Sequence, residues 1–158
     1  MRSPGYVYRR GATRRHVLAA AGALALVGAG ARGARAQTAG DFAAALKKTS
    51  GEGLPKEGKV VINAPEIAEN GATVPVTLVV DSPMTPQNYV ARITLLADGN
   101  PNPEVAEFRL TPLSGKAEVG TRIRLAKTQN LVAVAELGDK SLWMARKEIK
   151  VTIGGCGG

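Results

Sequence analysis

The only cysteine of this 158-residue sequence, Cys156, lies within a short run of glycines. Glycine has no Cβ and adopts backbone conformations of both hands, so the run predicts a thin, flexible arm that a narrow cleft could admit. An extended backbone from Ile153 to Cys156 spans roughly 10 Å, at about 3.3–3.6 Å per residue. We therefore expect a thiol that is carried to other active sites. A disordered tail with an incidental cysteine is the alternative. We assign the flexibility of the arm, residues 154–158, to Gly154, Gly155, Gly157 and Gly158.

Other groups that could do chemistry are scarce. His16 is the sole histidine, and it lies in a segment that we expect to be removed. Cys-His and Ser-His-Asp arrangements are then impossible, and a zinc site would have one soft ligand at most. A single cysteine also excludes an intramolecular disulfide. The sequence predicts a chain that is not an enzyme, with no catalytic residue, no metal site and no cofactor.

Residues 1–36 have the layout of a cleaved export signal. Arg14 and Arg15 precede an apolar stretch at 17–29, and a small-x-small cleavage signal follows at 34–36. The paired arginines predict the twin-arginine route and a periplasmic protein. The apolar stretch is too short and glycine-rich for a comfortable membrane span, so we expect no stable membrane insertion after cleavage. An uncleaved anchor is the alternative.

Removal of this signal changes the charge of the chain. The signal contains seven arginines and no acid, which leaves 21 − 7 = 14 basic against 13 acidic side chains. The net charge of about +1 gives no reason to expect a nucleic-acid partner. An unpaired cysteine in an oxidising compartment instead indicates intermolecular pairing or a reactive thiol.

A helix and linker are predicted at 37–58. Asp41 could cap a short helix that ends near Lys48 and places Phe42 and Leu46 one turn apart on one face. After the linker the pattern favours β-strands.

The β-domain is predicted at 59–153. Seven short strands separated by turn residues are typical of an all-β, immunoglobulin-like β-sandwich. The predicted strands are 59–62, 73–80, 90–97, 104–110, 117–125, 130–137 and 142–153. The last strand runs directly into Gly154, so we expect a rigid base beneath a flexible tip.

Individual residues refine this prediction. Pro75 lies within the second strand and favours an edge strand or a bulge. Trp143 is predicted to be a core or interface residue. Arg122 and Arg124 alternate with core positions, which predicts a solvated strand face, with a partner or anion contact as the alternative.

Several stretches of the chain resemble the SoxY family of bacterial sulfur-oxidation proteins. The most specific is the terminal Val151-Thr152-Ile153-Gly154-Gly155-Cys156-Gly157-Gly158, which follows an exported β-domain. The others are Val74-Pro75-Val76, Asp81-Ser82-Pro83-Met84-Thr85, Asn100-Pro101-Asn102-Pro103 and Thr121-Arg122-Ile123-Arg124-Leu125-Ala126. The resemblance implies that Cys156 carries thiosulfate-derived sulfur species as covalent adducts.

The resemblance also implies partners. It implies a heterodimer with SoxZ, a second β-sandwich protein without a signal of its own. SoxAX, a c-type haem enzyme, would join thiosulfate to the thiol oxidatively, and SoxB, a manganese-dependent hydrolase, would release sulfate. SoxCD, where present, would oxidise the remaining sulfur while it is bound.

Two other functions fit parts of the sequence. An exported immunoglobulin-like interaction module could use its terminal cysteine for an intermolecular disulfide. A ubiquitin-like protein could be activated at Gly157-Gly158, but export away from ATP argues against that function.

Overall fold

The computed structural model describes residues 33–154, which form one α-helix and nine β-strands. The helix, α1, spans Gly33–Ser50. The strands are β1 (Lys56–Glu57), β2 (Val60–Asn63), β3 (Ile67–Asn70), β4 (Val74–Val80), β5 (Val90–Ala97), β6 (Glu104–Arg109), β7 (Glu118–Ile123), β8 (Gln129–Leu137) and β9 (Leu142–Ile153).

The strands form two sheets. The larger sheet has the order β1-β9-β8-β5-β6, and β3 pairs with the far end of β9. The smaller sheet has the order β2-β4-β7. Most pairs are antiparallel, but β1 and β3 both run parallel to β9. The last strand is therefore held by β8 along one side and by β1 and β3 at the two ends of the other.

The main core lies between the two sheets. The alternating side chains of β4 point into it, and Val74, Val76 and Leu78 are almost fully buried. Ile93 and Leu131 from the larger sheet face them across the layer. Burial of such side chains contributes about 1.5–3 kcal/mol each, so apolar packing joins the sheets without a disulfide.

The helix covers the outer face of the larger sheet. Phe42 and Leu46 pack against a second buried cluster formed by Leu96, Val132 and Val134. Because both faces of β5 and β8 are covered, these central strands are apolar almost throughout.

The predicted immunoglobulin-like β-sandwich is confirmed, with corrections to its elements. All seven predicted strands are present. The short strands β1 and β3 were missed, because most of their side chains are exposed and their pairing with β9 is a tertiary contact. The helix begins at Gly33, so Asp41 lies within it and the predicted cap was wrong.

Pro75 occupies a position that its sequence context did not reveal. The prediction of an edge strand was wrong, because β4 lies between β2 and β7. However, β2 pairs only with residues 77–80 of β4, and Pro75 lies beyond that stretch. Proline cannot donate a backbone hydrogen bond. On the side of β4 that faces β2, no strand pairs with Pro75, so no such bond is needed there.

Trp143 packs against the main core, which confirms its predicted structural role. The ammonium groups of Lys59 and Lys56 lie 5.0 and 5.9 Å from the centre of its ring. These are cation–π distances. Its buried indole Nε1 has no hydrogen-bond partner among the described residues.

Within residues 33–154 no helix has the length and apolar character needed to cross a membrane. Most of the predicted signal, including Arg14 and Arg15, lies outside the described residues.

A partly buried ion pair ties the C-terminal end of α1 to the larger sheet. Arg92 Nη2 donates to Glu136 Oε2 at 2.6 Å and to the carbonyl of Thr49 at 3.2 Å. Lys140 donates to Glu136 Oε1 at 2.9 Å. The hydrogen bond from Lys140 and the charge of Arg92 hold the pKa of the Glu136 carboxyl below its ordinary value of 4.5.

The Glu136→Gln substitution is expected to lower the free energy of unfolding by about 1 kcal/mol at neutral pH. The lowered pKa means that the carboxylate stabilises the fold fully above its unfolded-state pKa and loses this effect as the pH falls through the folded value. The stability difference between the two proteins, measured by urea unfolding, should therefore shrink as the pH is lowered from neutral through the folded pKa, which lies below 4.5. Glu148→Gln, at an exposed position of β9, is the control and should change little. A difference for Glu136→Gln that stayed constant to pH 3 would contradict this assignment.

Candidate functional site: the base of the C-terminal arm

The predicted arm begins where β9 ends. Gly154 is the one arm residue that the structure describes. Cys156, the predicted sulfur carrier, lies outside the described residues, as do Gly155, Gly157 and Gly158. The described part of the site is its base, where β9 ends.

The end of β9 is hydrogen-bonded on both sides. On one side β3 pairs with it in parallel, and the N–H of Gly71 donates to the carbonyl of Ile153 at 2.7 Å. On the other side the N–H of Val151 donates to Thr128 Oγ1 at 2.9 Å. The Thr152 hydroxyl donates to the carbonyl of Glu69 at 2.8 Å. The strand is thus fixed up to the residue that precedes the arm.

Gly154 lies directly against the backbone of a neighbouring loop. A Cβ added at Gly154 would overlap the carbonyl oxygen of Ala126. Glycine is therefore required here by a close approach of two backbones. The sequence suggested only the flexibility of this residue.

That loop is held by two side-chain amides. The Asn100 side chain donates to the carbonyl of Arg124 at 2.9 Å and accepts from the N–H of Ala126 at 3.0 Å. Gln129, which is buried, donates to Asn100 Oδ1 at 2.8 Å and accepts from the N–H of Gly99 at 2.7 Å. Gln129 also donates to the carbonyl of Lys127 at 3.1 Å, so the amides fix the loop on both sides of Ala126 and thereby fix the surface on which Gly154 rests.

The same loop carries two exposed cations, Arg124 and Lys127. Neither forms an ion pair with any of the described residues. The Lys127 side chain lies across the backbone of Gly99, where an added Cβ would be 2.9 Å from Cε. Arg122 and Arg124 are exposed, as predicted for a solvated strand face.

No cluster of metal-ligating side chains is present in residues 33–154. The described part of the site offers a closely packed backbone and two exposed positive charges.

Sequence segments far apart in the chain meet at this site. Segments 100–103 and 121–126, which carried part of the resemblance, join through Asn100, and the loop then contacts Gly154. The sequence did not identify Gly71, Ala126 or Gln129 as part of the site. Gly71 and Ala126 act through their backbones, which leave no side-chain signal. A single glutamine at the start of an apolar strand is not specific enough to predict a buried amide pair.

The fold is that of a small β-sandwich protein whose last strand is hydrogen-bonded on both sides up to Ile153. The chain belongs to the SoxY family, because the family model described as "Sulfur oxidation protein SoxY" matches residues 46–156. No protein of curated function matches the chain.

One solved structure of a SoxY protein agrees with this membership, and two superoxide reductases have a similar fold. The chain is similar to the sulfur carrier protein SoxY from Chlorobium limicola f thiosulfatophilum, with 41% identity over 73% of this chain and 99% of that chain, at a TM-score of 0.59. Superoxide reductase (neelaredoxin) from Ignicoccus hospitalis is 28% identical over 60% of this chain and 80% of that chain, at a TM-score of 0.53. Superoxide reductase from Nanoarchaeum equitans, at 14% identity, shares the fold alone, with coverage of 61% of this chain and 100% of that chain and a TM-score of 0.52.

The Gly154→Ala substitution is expected to push the end of β9 away from Ala126. The added Cβ meets backbone, which cannot move aside cheaply, so we expect a loss of about 1 kcal/mol in the free energy of unfolding. Amide hydrogen exchange should locate the change, because the N–H of Gly71 loses its fixed acceptor at Ile153 and should exchange faster. Gly120→Ala is the matched control, since its Cβ would lie an ordinary 3.8 Å from Thr77 Oγ1. Unchanged protection of Gly71 in Gly154→Ala would refute the close approach.

The Asn100→Ala substitution should release the loop that supports Gly154. It removes the partners of the Arg124 carbonyl and the Ala126 N–H and one of the partners of the Gln129 amide, which we expect to cost about 2 kcal/mol in thermal or urea unfolding. Asn102→Ala removes an exposed asparagine from the same turn and should cost less than about 0.5 kcal/mol. Equal losses in the two variants would show that the Asn100 contacts do not hold the loop.

Proposed function

We propose that this protein is a periplasmic sulfur carrier. It holds intermediates of thiosulfate oxidation covalently on Cys156 and presents them to partner enzymes. The observation that carries the proposal is the attachment of a glycine-flanked cysteine to the fixed end of β9 in a member of the SoxY family. The Chlorobium relative is itself described as a sulfur carrier protein.

Cysteine suits this role because of sulfur redox chemistry. In the loading step the Cys156 thiolate and the outer sulfur of thiosulfate form an S–S bond, and two electrons leave to an acceptor. The product is a cysteine S-thiosulfonate. Hydrolysis by one water then breaks the bond between the outer sulfur and the sulfonate, which releases sulfate and two protons and leaves a persulfide anion. A covalent link through a serine oxygen or a lysine nitrogen could not hold sulfur through these changes in its oxidation state.

The electron acceptor and the hydrolytic activity belong to other proteins in this proposal. SoxAX would remove the electrons during loading, SoxB would catalyse the hydrolysis, and SoxCD, where present, would oxidise the persulfide. The chain itself acts as a non-catalytic subunit. SoxZ is the proposed stable partner, and its lack of a signal would explain export of the folded pair by the twin-arginine route.

The arm base explains how one thiol could serve several enzymes. The strand is fixed through Ile153 by hydrogen bonds on both sides, so an enzyme that binds the β-sandwich would find the start of the arm in a constant position. Each successive Cα lies 3.8 Å from the last, so the Cα of Cys156 stays within about 7.6 Å of that of Gly154. Docking would therefore define the small volume in which the thiol is found, which favours delivery.

Substitution of the thiol tests the proposal directly. Cys156→Ser should abolish thiosulfate-dependent electron transfer in a reconstituted system while the free energy of unfolding and partner binding stay unchanged. Restoring a thiol two residues further on, by Gly158→Cys in the Cys156→Ser protein, should recover only a small part of the rate, because partner sites would receive the sulfur at the wrong depth. Full activity of Cys156→Ser would contradict the carrier role. If Cys156→Ser were inactive but the unsubstituted protein acted as a disulfide dimer and carried no sulfur adduct, the interaction module would be favoured instead.

A further inference from the structure

We propose that Arg124 and Lys127 form an anion-binding rim at the base of the arm, which receives the negatively charged end of a sulfur oxyanion held on Cys156. This inference rests on the proposed function and adds residues outside the arm that recognise its cargo. The two residues lie on either side of Ala126, whose carbonyl contacts Gly154.

The position of the rim follows from the chain path. Thr128 is hydrogen-bonded to Val151, and Ala126 lies against Gly154, so the loop runs antiparallel beside the end of β9. Lys127 lies between these two contacts, and Arg124 is two residues beyond Ala126. Arg124 is therefore within about 7.6 Å of Ala126, measured between Cα atoms.

The thiol and the cations can meet. The Cα of Cys156 lies within about 7.6 Å of that of Gly154, and arginine and lysine side chains extend a comparable distance from their own Cα atoms. A thiosulfonate group adds two further bonds to the reach of the cysteine. An adduct on Cys156 is thus able to place its sulfonate oxygens beside either cation.

The charges at this place are available. Arg124 and Lys127 form no ion pair within the described residues, whereas Arg92, Arg109 and Lys140 are each paired with a glutamate. Two acidic groups lie on neighbouring segments, and both have other partners. Asp98 accepts hydrogen bonds from the backbone and side chain of Asn130, and Glu104, which lines a cavity with Arg124, forms an ion pair with Lys48. Arginine and lysine are the side chains that proteins use most for oxyanions, and charge-assisted hydrogen bonds are the stronger ones.

The rim is also fixed in place before the ligand arrives. Asn100 and Gln129 hold the backbone at Arg124 and Ala126, and the Lys127 side chain lies across Gly99. A rigid backbone lowers the cost of binding a charged group that is already tethered nearby. The rim would hold an anionic adduct weakly against the protein between visits to partner enzymes.

The test compares two reagents that attack the Cys156 thiol in the mature protein, in the complex in which it purifies. One is the anionic disulfide 5,5′-dithiobis(2-nitrobenzoate), and the other is the uncharged 2,2′-dithiodipyridine. Labelling of Cys156 is followed by mass spectrometry of its peptide. The ratio of the two rate constants reports attraction of the anion, because any change in thiolate population affects both reagents.

The double variant Arg124→Gln with Lys127→Gln should lower this ratio at least about threefold at low salt, as expected for two charges near the reacting sulfur. The difference should shrink at high salt, where screening acts over about 3 Å at 1 M. The control is Lys116→Gln with Arg146→Gln, which removes the same charge from exposed positions outside the arm base. An unchanged ratio, or an equal fall in the control, would overturn the rim.

This outcome is separate from that of the carrier proposal. The reagents report on the thiol alone and need no sulfur cargo, so failure of the rim leaves the effect of Cys156→Ser on thiosulfate oxidation untouched. If Cys156→Ser were fully active while the charge effect persisted, the rim would remain as an anion site without a carrier role.

Discussion

The close packing of the end of β9 between two neighbouring segments is the constraint on which the rest of the account depends. Gly71 donates to the carbonyl of Ile153 on one side, and the carbonyl of Ala126 lies against Gly154 on the other. The contact at Gly154 leaves no room for a side chain. The chain therefore passes from a fixed strand to a glycine-flanked cysteine within three residues, and the β-sandwich serves to hold that transition in place.

The two layers around the larger sheet explain why this strand end is stable. The smaller sheet covers one face and helix α1 covers the other, so the central strands β5 and β8 are buried on both sides. β9 is next to β8 and is also paired with β1 and β3. The amide pair Asn100–Gln129 then extends this order into the loop beside the arm. Apolar packing thus joins the layers of a chain whose single cysteine could not form an internal disulfide.

The elements dominated by side-chain burial could be predicted from the sequence, whereas those dominated by backbone contacts could not. The alternation in β4 and the apolar runs of β5 and β8 gave these strands correctly, and Phe42 and Leu46 gave the buried face of the helix. β1 and β3 expose most of their side chains and exist because β9 offers a partner. At the arm base, Gly71 and Ala126 contribute only backbone atoms, and the close approach at Gly154 appears in the sequence as one glycine among several.

Intact-mass spectrometry of the mature protein from thiosulfate-grown cells, with and without reductant, tests the carrier role most directly. The account predicts mass increases that match added sulfane or sulfonate groups, that map to Cys156 and that disappear on reduction. A protein found only as free thiol and disulfide dimer during active thiosulfate oxidation would contradict it.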